Sequence, residues 1–204
     1  MNRALAIVIS GPSGCGKGTI VKRLVRQNDS VKLSVSVTTR GIRHDDGEEN
    51  GREYHFISRE KYAELLAGGE LLEHAEYSSG SYGTPKKPVE QWLSANNDVI
   101  LEIDVQGFRQ VREKLPDAVS IFVAPPDMGV LRERLCMRAT ESEEEIGRRI
   151  AIGKKELEAA REYDYIVVND RLDSAVELIQ SIILSEKAKS RYMNDFIKGV
   201  LNDD

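Results

Sequence analysis

The 204-residue chain is 40% hydrophobic and 31% charged, carries a formal net charge of −5 and has two cysteines. Such a length and balance fit one globular domain with a real core. They exclude a disordered chain, a disulfide-built fold and an apolar run long enough to span a membrane. The negative charge argues against non-specific nucleic-acid binding, and the N-terminus lacks the layout of a secretion signal, so the chain is expected in the cytoplasm, off the membrane.

"LAIVIS" (5–10) reads as a short buried strand, and 18–27 as a helix with Ile20, Val21, Leu24 and Val25 on one face. "VKLSVSV" (31–37) alternates like a half-buried strand, and 38–53 is a polar, charged loop or ribbon. "SREKYAELLAGG" (58–69) predicts a capped helix with a Gly stop, "ELLEHAEY" (70–77) a strand, and "SSGSYGTPKKP" turns. Helix "PVEQWLSAN", strand "DVILEID", helix "VQGFRQVREKL" and strand "AVSIFVAP" follow. Then come helices at 128–138 and 142–163, a last strand "DYIVVND" (164–170), and mainly helix over 172–199. Apolar strands alternating with amphipathic helices predict an α/β fold, a parallel sheet covered by helices on both faces. Residues 36 to about 89 break the alternation and read as an inserted lobe of mixed strand and helix.

Between the first strand and first helix lies "GPSGCGKGT" (11–19), a G-x-x-x-x-G-K loop. Gly11, Gly14, Gly16 and Gly18 free the backbone to approach phosphate oxygens. The N–H groups of Pro12-flanking Ser13, Cys15 and the helix start converge on the anion, and Lys17 adds a full charge. The loop therefore predicts a nucleoside triphosphate site of the P-loop type. Gly18 stands where the strict pattern has the hydroxyl that ligates Mg²⁺. Thr19 is the nearest hydroxyl, either on a phosphate with the metal held through water, or on the metal itself. Cys15 and Cys136 read as two reduced thiols.

Ser36, Arg40 and Arg43 form a second cluster, spaced either to surround one anion or to belong to a solvated charged loop. Tyr54 and Tyr82 are phenols able to reach the same anion. Arg134 and Arg138, four apart, share a helix face, whereas Arg132, Arg148 and Lys154 read as surface charges.

"GPSGCGKGT", "SVSVTTR", "YHFIS", "LLEHAEYSSGSYGTP", "LEIDVQG", "IFVAPP" and "IVVND", in order from about residue 5 to 185, together resemble the guanylate kinases, which make GDP from GMP and ATP. The resemblance implies a P-loop NTPase-type sheet (about 1–35, 90–126 and 151–204), a GMP-binding lobe (about 36–89) and a helical lid (about 127–150). It implies that Ser36, Arg40, Arg43, Tyr54 and Tyr82 grip the GMP phosphate, and that Glu73 reads guanine through N1–H and N2–H₂. Thr84 would donate to O6. It further implies Glu102 and Asp104 beside the substrate, with Asp104 and Thr19 toward Mg²⁺. Arg134, Arg138 and Arg149 would be lid arginines acting with Lys17 in catalysis, and Asn169 would lie near the adenine of ATP. The family usually has Asp where this chain has Glu102. The loop after Arg43 is about two residues longer than the usual spacing, and Glu48 is taken as its matching acid. His44, His55 and His74 are given no catalytic role. The implied substrates are ATP with GMP or dGMP; the sequence leaves monomer or homo-oligomer open. Another nucleoside monophosphate kinase and a non-catalytic binding module are the rival readings.

Overall fold

The computed structural model describes residues 3–43, 47–137 and 142–202. Its centre is a five-stranded parallel sheet of β1 (Ala6–Ser10), β2 (Val31–Leu33), β7 (Asp98–Glu102), β8 (Val119–Ala124) and β9 (Tyr165–Val168), in the order β2-β7-β1-β8-β9. Side chains alternate across a strand, so β1 feeds two cores at once. Ile7 and Ile9 pack with Ile20, Val21 and Leu24 of α1 (Lys17–Gln27) and with Val176 and Ile179 of α7 (Leu172–Lys187). Val8 packs on the other face with Val89 of α3 (Lys86–Ser94) and Phe108 and Val111 of α4 (Val105–Lys114). Each such fully buried aliphatic side chain contributes about 1.5–3 kcal/mol.

A second sheet holds β3 (Val37–Thr38), β4 (His55–Phe56), β5 (Leu71–Tyr77) and β6 (Gly80–Pro85), in the order β4-β3-β6-β5. Its small core is Val37, Leu71 and Tyr62 of α2 (Arg59–Ala67), with the Tyr62 hydroxyl donating to the Tyr82 carbonyl at 2.9 Å. α5 (Met128–Cys136) and α6 (Glu143–Glu158) pack on each other through Leu131, Leu135 and Ile146. A 3₁₀ turn over Ala159–Glu162 leads from α6 toward β9, and α8 (Asn194–Asn202) ends the described chain.

Four expected elements differ. The alternating stretch 31–37 is not one strand. Ser34 N–H still bonds the Ile100 carbonyl at 2.9 Å, and the chain then leaves for the second sheet. Period-two alternation marks a pleated surface but not its partner. The turn-rich 78–88 contains β6, which pairs antiparallel with β5 from Tyr77↔Gly80 to Leu71↔Pro85. Gly83 sits inside it because a Cβ there would lie 2.9 Å from Leu71 Cδ1 and 3.0 Å from the Glu73 carbonyl, so the glycine marks a close approach of strands. The long helix expected over 142–163 ends at Glu158, and the one over 128–138 ends at Cys136.

The chain order of parallel strands brings the C-terminal ends of β1, β7, β8 and β9 to one edge. That edge is where open α/β sheets present their loops to ligands.

Candidate active site

At that edge the loop 11–16 joins β1 to α1. Gly11, Gly14 and Gly16 take φ of 147°, 90° and 92°. Gly16 caps α1 in the left-handed region, where a Cβ would stand 2.4 Å from Asn169 Nδ2. Both facts demand glycine. Lys17 folds over the loop and donates to the carbonyls of Gly11 at 2.5 Å and Pro12 at 3.1 Å. Cys15 is buried beneath it, 3.9 Å from Lys17 Nζ, and burial pushes its thiol above the usual range. Ser13 is exposed, and Arg149 Nη1 on α6 donates to its hydroxyl at 3.3 Å. Gly18 lies in the first turn of α1 facing Glu102, whose carboxylate oxygens are 3.7 and 3.9 Å from where its Cβ would be. Thr19 is exposed on the same turn.

Asn169, 5% exposed, is more than a neighbour of the loop. Its amide donates to the Cys15 carbonyl at 2.8 Å, and its backbone carbonyl accepts from Arg134 Nη2 at 3.1 Å. One residue thus braces the loop and anchors α5. Beside it opens a cleft of 350 Å³ walled by Gly14, Gly16, Thr19, Arg134 and Leu172. Arg134 Nη1 is buried there and, among the described residues, without a hydrogen-bond partner. A buried guanidinium donor left over in such a cleft suits an anion. Arg138 lies outside the described residues.

The carboxylates on this edge are shaped by burial. Glu102 ends β7, and Asp104 caps α4, accepting from Gly107 N–H at 2.8 Å. Burial raises the pKa of both, and Lys17 pulls both back. Glu156 on α6 behaves alike: burial raises it and Lys17 lowers it. The sequence reading missed Glu156. Its only signal is its place near Gly153, where α6 touches Pro12 of the loop.

The second sheet carries the other cluster. Glu73 on β5 is 4% exposed and pairs in register with Thr84 on β6. The Thr84 hydroxyl donates to Glu73 Oε1 at 2.5 Å and lies 3.3 Å from Ser36 Oγ. Burial pushes the Glu73 carboxyl up to about 7, against the opposing Thr84 hydrogen bond; nearby Asp104 pushes the same way as burial. Arg40 is held by Glu48 in a two-point ion pair, with Nη2 at 2.7 Å and Nη1 at 3.0 Å, and its Nε donates to the Tyr82 hydroxyl at 3.0 Å. Tyr54 stands edge-on to Tyr82, with ring centroids 5.6 Å apart, and Arg40 lies 5.5 Å from the Tyr54 ring centre. Arg43 N–H donates to Glu48 at 2.9 Å, and its side chain is exposed. The Arg40 hydrogen bond holds Glu48 well below the usual carboxylate range. Ser36, Arg40, Tyr54, Tyr82, Thr84 and Glu73 are thus gathered on one face, with Arg43 at its rim. Asp45 and Asp46, the added acids of the long loop, lie outside the described residues.

Asp104 links the two clusters electrostatically: its charge raises Glu73, and Lys17 in turn lowers Asp104. The helix that it caps meets Glu73 at Gly107, where a Cβ would stand 2.5 Å from Glu73 Oε2. His55 and His74 are exposed on β4 and β5.

A family model described as guanylate kinase matches residues 3–186. A guanylate kinase of Desulfitobacterium hafniense is 48% identical over 199 residues, covering 98% of each chain, and one of Clostridioides difficile is 44% identical over 97% of this chain and 96% of its own. The crystal structure of guanylate kinase from Anaplasma phagocytophilum is 31% identical, with a TM-score of 0.75 over 93% of this chain and 89% of that one.

Proposed function

The chain belongs to the guanylate kinase family and is an ATP:GMP phosphotransferase, and from that premise we propose how its residues carry the reaction. The products are ADP and GDP, dGMP is accepted in place of GMP, and the enzyme serves purine nucleotide metabolism in the cytoplasm. Among the described residues no helix is long and apolar enough to cross a membrane.

ATP takes the cleft beside the glycine loop, its phosphates under the loop N–H groups and its adenine toward Asn169. Lys17 exchanges the carbonyls of Gly11 and Pro12 for phosphate oxygens. GMP takes the second sheet. Arg40, Arg43, Ser36, Tyr54 and Tyr82 meet its phosphate, with Glu48 presetting Arg40. Guanine N1–H and N2–H₂ displace the Thr84 hydroxyl from Glu73, which releases the Thr84 hydrogen to O6. Adenine brings an acceptor where guanine brings N1–H and has no 2-amino group, so it leaves Glu73 buried and unpaired. Such a mismatch supports discrimination of about 10⁴.

The acceptor is a phosphate oxygen, ionised at neutral pH, so no strong base is needed. The barrier is repulsion: two unit charges 4 Å apart cost about 4 kcal/mol at an effective dielectric of 20. Lys17, Arg134, Arg138 and Arg149 offset it and stabilise the transferring group. Closure of the lobe (about 36–89) and lid (about 127–150) over the core keeps water from ATP.

Mg²⁺ fits this edge. Among the described residues no three His, Cys, Asp or Glu side chains converge as a protein cage. Mg²⁺ rarely uses one, keeping water and substrate oxygens around one or two carboxylates. Glu102 and Asp104 are half-buried carboxyls whose ionised form a cation would favour. Asp104 and Thr19 would hold it, with Glu102 facing the place left by Gly18. Bound there, the metal would neutralise charge on the β- and γ-phosphates.

The observation that supports the reading is the start of α4: Ile103, just before it, bonds the Ile9 carbonyl of the strand that leads into the glycine loop, Asp104 caps it, and at Gly107 it meets the buried Glu73 carboxylate, where a Cβ would stand 2.5 Å from Oε2. A coupled assay of ATP with GMP, dGMP, AMP and UMP tests it. GMP and dGMP are turned over, with kcat/KM about 10³-fold or more above AMP and UMP. Comparable rates for AMP or UMP would overturn it.

A further inference from the structure

β5, which carries Glu73, is the outer strand of its sheet. Half of an outer strand's backbone N–H and C=O groups face away from the sheet and need partners of their own. Here a helix of the central layer supplies them. Gln110 of α4 makes a two-point match to the backbone of His74. Its Oε1 accepts the His74 N–H at 3.1 Å, and its Nε2 donates to the His74 carbonyl at 2.7 Å. One turn further, Lys114 Nζ donates to the Leu72 carbonyl at 2.7 Å and reaches the Leu71 carbonyl at 3.3 Å. One turn back, Gly107 gives the room for the contact: a Cβ there would stand 2.5 Å from Glu73 Oε2. Positions 107, 110 and 114 share one face of the helix. That face runs along β5 like an additional strand, and it begins at Asp104, the cap of the same helix.

From this we infer that Gln110, seconded by Lys114, is a positioning residue for guanine specificity. It fixes the backbone on one side of Glu73, while β6 and Thr84 fix the other. The inference deepens the assignment of Glu73 as the guanine reader and rests on it. A carboxylate that must accept two adjacent donors tolerates little drift, because hydrogen bonds weaken steeply with angle. The other cluster, around Arg40, hangs from β3, β4 and β6, whereas among the described residues Gln110 hydrogen-bonds His74 of β5 and Gln106 of its own helix. Loosening Gln110 therefore degrades reading of the base and spares the grip on the phosphate.

Inosine monophosphate isolates this effect, since it keeps N1–H, O6 and the phosphate and lacks only the 2-amino group. Gln110→Met keeps the side-chain length and removes both hydrogen bonds. The readout is kcat/KM for GMP and for inosine monophosphate, with KM for ATP and kcat measured beside them. The GMP-to-inosine ratio is expected to fall about tenfold, through KM for GMP, with KM for ATP within about twofold of the parent. Gln110→Glu keeps the acceptor for the His74 N–H but sets a carboxylate oxygen against the His74 carbonyl, so it lowers the ratio as well. A general loss of structure lowers both substrates together and leaves the ratio where it was. An unchanged ratio in Gln110→Met overturns the inference; should that variant not fold, the ratio in Gln110→Glu decides. Glu73→Gln is the control. If its ratio collapses while that of the Gln110 variants holds, only the positioning role fails. If its ratio also holds, the assignment of Glu73 itself is wrong.

Discussion

Lys17→Ala lowers kcat by about 10³-fold or more, leaves KM for GMP within a few-fold of the parent, and costs only a few degrees of thermal stability. The ammonium is the one full positive charge carried by the glycine loop itself, and removing one preorganised donor from a transition state typically costs about 10²–10³ in kcat. A lost cation on a transferring phosphoryl group costs about 10³–10⁵. The structural loss is smaller. Lys17 donates to the carbonyls of Gly11 and Pro12 in the loop, at about 0.5–1.5 kcal/mol for such a bond. Stopped-flow or coupled kinetics with saturating ATP and GMP, beside a thermal melt, separate the two effects. A second signature follows from the carboxyls around the lysine. Lys17 pulls down Glu102, Asp104 and Glu156, each of which burial has raised. Without it their pKa values rise further. A buried acid with a raised pKa holds its proton in the folded state over a window where the unfolded chain has released it. Stability then falls as pH rises through that window. The variant is therefore expected to lose more stability than the parent as pH rises above the ordinary carboxylate range. A variant with near-parent kcat would remove Lys17 from the reaction.

Glu73→Gln lowers kcat/KM for GMP by about 10³-fold and removes the carboxyl's share of the acid limb of its pH profile. The amide presents a hydrogen to one of the two guanine donors, so a buried mismatch replaces a paired acceptor. In the parent, the Glu73 carboxyl is pushed up to about 7 by burial. It is about nine-tenths ionised at pH 8 and about one-tenth at pH 6, so kcat/KM for GMP drops about tenfold across that interval. The substrate phosphate, ionising near pH 6, adds its own share, and Glu73→Gln retains only that share. The same shift acts on stability in the opposite sense. A carboxyl whose folded pKa is raised from 4.5 to about 7 costs the folded state about 3 kcal/mol once the pH is above 7, and nothing below 4.5. Glu73→Gln is thus expected to be more stable than the parent at pH 8 by up to that amount, with the gain fading toward pH 4.5. Improved stability with ruined specificity is the pattern of a group kept for binding rather than for folding. A flat parent profile between pH 6 and 8, or a variant no more stable at pH 8, would contradict the burial argument.

The glycine loop was the most legible part of the chain, because its constraint is local. Strand, bare backbone, lysine and helix are adjacent in sequence, and the positive φ of Gly11, Gly14 and Gly16 is a property of the loop alone. The alternation of strands and helices gave the parallel sheet for the same reason. Residues whose state depends on a distant partner were harder. Val37 and Thr38 leave the strand begun at Val31 because β6 offers them a second sheet. β6 itself hides behind Gly80, Gly83 and Pro85, residues that locally announce turns. Glu73 is a carboxylate in an apolar strand and gains meaning only from Thr84, eleven residues away, and from Asp104. Its role came from the resemblance of its motif and not from composition or spacing. Gln110 and Lys114 look like ordinary polar positions of an amphipathic helix until β5 lies against them. Asn169 was expected near an adenine, and nothing in the sequence signals that its amide also holds the loop carbonyl of Cys15, a contact 154 positions apart in the chain.

A crystal structure with GMP and a non-hydrolysable ATP analogue bound together tests the central claim most directly, that one cleft brings the two anions into contact. The guanine edge is expected on Glu73 and Thr84, the GMP phosphate among Arg40, Arg43, Tyr54 and Tyr82, and the γ-phosphate under Lys17 within reach of it, with the lobe and lid drawn in. GMP bound away from Glu73, or the two phosphates held far apart in a closed complex, would contradict it.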